Sequence, residues 1–443
     1  MSDVMRKRVK MGFPMTDHKR SAAQQASVAH WAADSVQRIA RAWCAVFAVA
    51  LVLAASCFAA PQQALAYDPN AKPIEVGDVD TLLTLIARSR FEKDYAPNIK
   101  LTADINFNDF DPEGSKLQEI VKAYGSLTFG DKDHPFKGSF DGQGHYIIGL
   151  NYKRDFWKPV ANTGLFSFTE DAYIHDIHFK DCYIGADYRG GVLVGQAKNT
   201  RIESVRMEDC TLSVTPANNS VSLITNAGIM GGLIAGELLD GSYMYNCTAQ
   251  GGRVVNNSVV AVSGLGGEGL YLGALVGSAE HSQIEYCRVL PSVAYYAARA
   301  AADDPASVDV YADNYKYLTE VYNRYEVAVG AVAGQSVYAG GVVGYIKDVD
   351  VMDCFSTAWV HTWVANYVGV GAGNIGYVGG IAAISKSDDS PETESNIIRC
   401  HYASNMESYQ YNALAVIPII QSNVYLSGLL ERDWEEDTNL HNS

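Results

Sequence analysis

One motif returns six times in this chain and constrains its fold more than any other feature: a glycine-bounded apolar tract with a single cysteine downstream. Asn162-Thr163-Gly164-Leu165-Phe166 leads to Cys182, and Gly190-Gly191-Val192-Leu193-Val194-Gly195 leads to Cys210. The tract Gly231 to Gly236 leads to Cys247, Gly273 to Gly277 to Cys287, Gly340 to Gly344 to Cys354, and Gly379-Gly380-Ile381 to Cys400. Ser427-Gly428-Leu429-Leu430 reads as a degenerate seventh copy. From the first glycine to the cysteine takes 14 to 21 residues, whereas the return to the next tract takes 8 to more than 50. A stacked solenoid accounts for this asymmetry, because contact with neighbouring coils fixes the length of one side while insertions leave from another. Apolar positions alternate within the units, as at Val205 and Met207, and the units are rich in Gly, Val, Ile, Tyr and Thr. That period and composition disfavour helical repeats. The expected fold is all-β, with the six cysteines in one slot counted once per winding.

The flanks read differently. Residues 1–66 carry eight Lys/Arg against three acids, followed by the low-polarity run Ala42 to Ala60 and the small-x-small site Ala64-Leu65-Ala66. This is the pattern of a signal peptide with a long basic n-region, which makes Tyr67 the new N-terminus. An uncleaved anchor or lipidation at Cys57 are the alternatives, and all of them put the rest of the chain outside the cytoplasm. Asp78 to Arg90 is expected to be a short capping helix with Asp78 as N-cap and Val79, Leu82, Leu83 and Ile86 on one face. A strand bearing Ile99, Leu101, Ile105 and Phe107 follows. Residues 67–130 are therefore read as an N-terminal cap that covers an open sheet end.

Phe136-Lys137-Gly138-Ser139-Phe140-Asp141-Gly142-Gln143-Gly144-His145, then Ile147 to Leu150 and Gly164-Leu165-Phe166, resembles the opening of bacterial surface proteins with GLUG repeats. The earlier Leu101-Thr102-Ala103-Asp104-Ile105 and the later Gly-Gly-Val-Val-Gly tracts are similar to the same family. The resemblance covers about residues 75 to 384. It implies a right-handed parallel β-helix, here over 131–430, of the kind found in secreted adhesin-like proteins and beside IgA-type peptidase domains. The chain departs from the family in showing no cell-wall sorting signal and in ending on the acidic segment 431–443.

Several residue groups could carry a site, and each also has a plain structural role. Asp141, Gly142 and Gly144 resemble turns of pectin-degrading β-helices, but two glycines and a capping aspartate are first of all a tight structural corner. His175 and His178 fall on opposite faces at two-residue alternation and have no Cys-x-x-Cys or His-Glu-x-x-His beside them, so no metal site is expected. Cys182, Cys210, Cys247, Cys287, Cys354 and Cys400 are expected to form a buried thiol ladder, with vertical disulfides as the alternative. On one strand face Trp359, His361, Trp363 and Tyr367 would form an exposed aromatic row opposite Val360, Val364 and Val368, suited to sugar rings or a protein partner. The insertion near 291–327 carries Tyr311, Tyr315, Tyr322 and Tyr325, expected on a partner-facing arm.

Beyond the leader the chain holds 26 Lys/Arg against 47 Asp/Glu, a net charge of −21, which excludes a nucleic-acid backbone or an anionic membrane surface as partner. Membrane contact is expected only through the leader, should it stay uncleaved. The reading that follows is an exported bacterial β-helix, secreted or at the cell surface, that binds a glycan or a host or surface protein and has no catalytic residues, metal or cofactor. A polysaccharide lyase or glycoside hydrolase on the same fold, and a structural spacer or fragment of a larger adhesin, are the alternatives.

Overall fold

The computed structural model describes residues 68–89, 92, 96–111, 113, 116–117, 119, 127–152, 161–215, 228–256, 269–308, 319–326, 337–367, 376–386, 395–403, 406–414, 417–420 and 425–427. Side chains at 322–326, 363–367, 385–386 and beyond 403 are outside this description, as are the leader, the acidic tail, Tyr311 and Tyr315. No described helix is long and apolar enough to cross a membrane.

One winding explains the rest. After the corner residue Asp171 come Tyr173–His175; after Asp176, His178–Lys180; after Asp181, Tyr183–Ala186. Arg189–Gly190 and Val194–Lys198 complete the turn. Asp171, Asp176 and Asp181 have φ of 53°, 50° and 51°. Asp and Asn tolerate this left-handed conformation better than most residues, and the next winding repeats it with Asn199, Ser204 and Asp209. Each of the first two sides therefore takes five residues, and the residues before and after these left-handed corners share a face. Ala172, Ile174, Ile177, Phe179, Cys182 and Ile184 are all buried. The corners lose no hydrogen bonds: the Asp176 amide donates to the Glu203 carbonyl of the next winding at 3.1 Å, and Asp181 to Glu208 at 3.0 Å.

Stacking these windings gives a parallel β-helix with five sheets of nine, eight, eight, seven and six strands, named here first to fifth in the order Tyr173–His175 through Val194–Lys198. Among the described residues every pairing is parallel except the last of the third sheet, where Met406–Leu414 meets Ile417–Ile420 antiparallel. The first sheet already begins with Ile74–Val76 and Asn98–Leu101, so the winding starts well before residue 131 and the expected cap is part of it. Ile99 and Leu101 lie in the first sheet and Ile105 in the second, not on one strand. The helix Val79–Ser89 forms as expected, with the Asp78 carboxylate accepting the Thr81 amide at 2.7 Å. Its seated residues are Val79, Leu82, Leu85 and Ile86, while Leu83 packs only at the margin of the core.

The repeated glycines sit where the fourth sheet turns into the fifth. Register places Gly195, Gly236, Gly277 and Gly344 in one column. None has positive φ; the requirement is space. A Cβ at Gly236 would lie 2.5 Å from the Gly195 carbonyl oxygen, and one at Gly277 would lie 2.3 Å from the Gly231 nitrogen. Close backbone approach is the second reason to use glycine, beside its freedom in φ.

The cysteines require a correction: they occupy two columns. Arg206, Thr248, Arg288, Phe355 and His401 are successive register partners, so the preceding residues Val205, Cys247, Cys287, Cys354 and Cys400 form one column at the first-to-second corner. Tyr183, Thr211 and Arg253 are partners in turn, which puts Cys182 and Cys210 in another, at the second-to-third corner, continued by Gly252. Both columns are the first inward position after a left-handed residue. All six thiols are buried and free. Each of Cys210, Cys247, Cys287, Cys354 and Cys400 donates to the carbonyl two residues upstream, at 3.2–3.4 Å. Thr200 and Ser282 do the same at their corners, at 2.9 and 2.7 Å. The slot selects a small side chain with a donor, and cysteine adds apolar bulk. Burial pushes the thiols of Cys210 and Cys287 well above the ordinary range, which keeps them neutral and unreactive.

If space rather than φ dictates the glycine column, Gly277→Ala should destabilise the fold by about 2–4 kcal/mol. Gly144→Ala, with φ of 75° and nothing within 4 Å of the new methyl, should lose only about 1 kcal/mol. Urea unfolding of both variants checks this; equal losses would contradict it.

Candidate functional site

The third sheet widens along the winding axis. Its strands Tyr183–Ala186, Thr211–Val214 and Arg253–Asn256 have four residues each, Glu320–Glu326 has seven, and Trp359–Tyr367 and Met406–Leu414 have nine. No left-handed residue lies between Cys354 and Tyr367, and alternation from Cys354 holds as far as Thr362. Cys354, Ser356, Ala358, Val360 and Thr362 are buried, and Trp359 and His361 face outward but are mostly covered, the His361 side chain being 13% exposed, so this end of the expected aromatic row is not freely exposed. Trp363 and Tyr367 occupy positions of the same parity.

Three windings fix this face. Arg253, Glu320 and Trp359 are successive register partners. Arg253 Nε pairs with Glu320 Oε2 at 2.7 Å, His361 Nε2 lies 3.1 Å from Glu320 Oε1, and the His361 ring stacks on Trp359 at 4.9 Å and 17°. Burial alone would raise the Glu320 carboxyl; the His361 hydrogen bond and the Arg253 charge outweigh it and hold the group below the ordinary range. The indole is thus held in place by an imidazole that is itself anchored to a carboxylate and a guanidinium.

The other expected sites fare differently. Tyr322 and Tyr325 are not on an arm: they lie on the strand Glu320–Glu326, in register with His361 and Val364. The insertion before it contains the Ser292-capped helix Val293–Ala301 and the turn Pro305–Ser307. Asp141, Gly142 and Gly144 form a corner of the first sheet. Asp141 Oδ1 accepts the Gln143 amide at 2.9 Å, and a Cβ at Gly142 would meet the Asp176 carbonyl oxygen at 2.3 Å. His175 and His178 both face outward, since the left-handed Asp176 between them resets the alternation. His175 Nδ1 lies 2.8 Å from Asp176 Oδ2 and 3.7 Å from Asp141 Oδ1, and ligand atoms of these three residues lie within 4.8 Å of one another. The sequence reading gave them no joint role.

Sequence reasoning also missed the outer faces of the first, second and fourth sheets. Arg201 sits between the Tyr173 and Tyr243 rings at 5.6 and 5.7 Å. The Tyr173 hydroxyl donates to Glu203 at 2.7 Å and the Tyr243 hydroxyl to Glu285 at 3.0 Å. Burial and these carboxylates push both phenols up. On the second sheet Glu208 takes Arg206 at 2.8 Å and the Tyr146 hydroxyl at 3.1 Å. On the fourth sheet Tyr271, Tyr338 and Tyr377 stack at 5.1 and 4.8 Å. The signal was present in the tripeptides Tyr173-Ile174-His175, Arg201-Ile202-Glu203 and Tyr243-Met244-Tyr245, each an outward pair around one core residue. Acids and bases here are bound to one another from winding to winding, an arrangement that orders a surface and leaves these groups engaged rather than poised for proton transfer.

No family model matches the chain, and no curated protein matches it.

Asp209 is the exception among the acids. Burial, then the neighbouring Asp181 and Glu208 carboxylates, push it up to about 6. A carboxyl raised in the folded state binds more protons than in the unfolded state between its ordinary value near 4 and about 6, so stability falls as pH rises through that window. Asp209→Asn, which keeps a residue tolerant of the left-handed corner, should stabilise the protein at pH 7.5 by about 1 kcal/mol, allowing for solvent screening of a half-exposed group. At pH 4 it should change little. Thermal melts across this range check it, and a loss of stability at pH 7.5 would contradict it.

Proposed function

We propose that this chain is an exported bacterial β-helix of the GLUG-repeat type that acts by binding, secreted or displayed at the cell surface, with a glycan or a surface protein as ligand. The observation that carries the reading is the outward Trp359–His361 stack on a nine-residue strand, anchored through Glu320 to Arg253. A fixed ring pair loses little conformational entropy on binding and can stack on a sugar or dock against a partner. The basic leader and apolar run support export, and the net charge of −21 beyond it argues against polyanionic partners.

The rival from another class is a polysaccharide lyase or hydrolase, and Arg206 with Glu208, Tyr146 and Asp209 is the group it would use. Glu208 is nearly buried and its partners are already engaged, which favours the binder. A spacer role would leave the Trp359 face without a ligand. The deciding experiment pairs a glycan and matrix-protein binding screen with an assay for released oligosaccharide. Binding without cleavage, weakened at least tenfold in Trp359→Ala while the melting temperature holds, is the expected result. Release of cleaved sugar, or binding indifferent to Trp359, would contradict the reading.

A further inference from the structure

We infer that the outer face of the first sheet is a second interaction surface, separate from the Trp359 face, and that its partner is an arginine- and lysine-rich protein segment. The surface runs over the windings from Tyr173–His175 to Asn396–Ile398 and includes the left-handed corners on either side. Its carboxylates are held mostly by neutral donors, which fix their positions without cancelling their charge. Asp171 Oδ1 accepts the Asn199 amide at 2.6 Å, and Asp350 accepts that of Asn396 at 2.8 Å. Glu285 takes the Tyr243 hydroxyl at 3.0 Å and the Gln283 amide at 2.6 Å. Asp176 meets His175 at 2.8 Å, while Asp240 and Asp348 flank His281 at 3.6 and 3.2 Å. Only two are paired with arginine: Glu203 with Arg201, and Asp353 with Arg399. Among the described residues of this face, eight carboxylates thus meet two guanidinium groups and no lysine, a surplus of six with histidine neutral. The second sheet has no such surplus, since Lys180, Arg206 and Arg288 balance Asp181, Glu208 and Asp209.

The rings on the same face select the kind of cation. Arg201 displays the chemistry within the chain: its guanidinium lies between the Tyr173 and Tyr243 rings at 5.6 and 5.7 Å while it pairs with Glu203. Tyr245 and Tyr286 offer rings in similar acidic surroundings. Glu285 is the register partner of Tyr245, and the Tyr286 hydroxyl hydrogen-bonds Asp353. The Tyr286 ring stands edge-on to Tyr245 at 5.4 Å and the residue is 45% exposed. Its φ is 53°, at a corner where other windings place Asp176, Ser204, Asn246 and Asp353. A bulky residue is strained in this conformation where asparagine is not, and strain of this kind gathers at functional positions. A guanidinium can stack on such a ring and pair with a carboxylate at once, which favours arginine over lysine. Six windings at strand spacing extend about 24 Å, the reach of about seven extended residues and more than a small cation spans. A neutral sugar would leave the surplus charge uncompensated, and a polyanion would be repelled by it.

Fluorescence anisotropy of a labelled nona-arginine peptide with the full chain tests this, with nona-lysine and nona-glutamate for comparison. Nona-arginine should bind more tightly than nona-lysine, nona-glutamate should not bind, and about 0.5 M NaCl should weaken the complex about tenfold or more. Tyr286→Asn, which suits the left-handed corner, should weaken nona-arginine binding about fivefold without lowering the melting temperature. Asp350→Asn should weaken it about threefold, whereas Asp303→Asn, the same charge change in the exposed 291–327 insertion, should leave it unchanged. Trp359→Ala should leave it unchanged as well, so this inference and the glycan reading can fail separately. Full binding in Tyr286→Asn, or equal weakening in Asp303→Asn and Asp350→Asn, overturns the inference by reducing the attraction to net charge. Displacement by spermine as effective as that by unlabelled nona-arginine, at equal concentration of charge, overturns it in favour of small cations. Loss of binding in Trp359→Ala overturns it by moving the site to the third sheet.

Discussion

A residue in the left-handed conformation at each of the three corners that bound the first and second sheets, its amide hydrogen-bonded to the next winding, is the constraint on which the winding depends. It turns the chain after every three-residue strand without leaving a buried amide unpaired, as Asp176 and Asp181 do through Glu203 and Glu208. It also resets strand alternation, so that Ile174 and Ile177 on either side of one corner both enter the core. The thiol and hydroxyl columns are consequences. The first inward position after a left-handed corner takes a small donor that reaches back to the carbonyl before it, whereas the turn from the fourth sheet to the fifth has no left-handed residue and leaves no room for a Cβ.

How much of this was legible in the sequence follows from that rule. The glycine tracts and the β composition were enough to assign an all-β solenoid, because close approach admits only glycine at recurring positions. The cysteines fall in two columns rather than one because the first and second sides each take five residues, so the same slot recurs one corner on. The clue was in the spacing: Gly191 to Cys210 takes 19 residues and Gly273 to Cys287 takes 14, a difference of one side. His175 and His178 were put on opposite faces for the same reason, since simple alternation takes no account of the corner at Asp176.

The aromatic face shows the converse. Parity from Cys354 to Trp359 held because no left-handed residue intervenes after Asp353. What local pattern could not show was that Tyr322, read as part of an arm, is a register partner of His361, nor that the third sheet lengthens to nine residues where its neighbours keep two to five. Pairing between strands 39 residues apart is set by the winding, not by local propensity. The same widening takes Tyr322 from the expected arm into the sheet.

The direct test of the winding is a distance. Nitroxide labels on Arg288→Cys and His401→Cys report two outward positions of the second sheet, 113 residues apart in sequence and two windings apart in space. The buried native thiols should stay unlabelled. Electron paramagnetic resonance should give a separation of about 10 Å, twice the strand spacing. A separation beyond about 20 Å, more than four strand spacings, would contradict the winding.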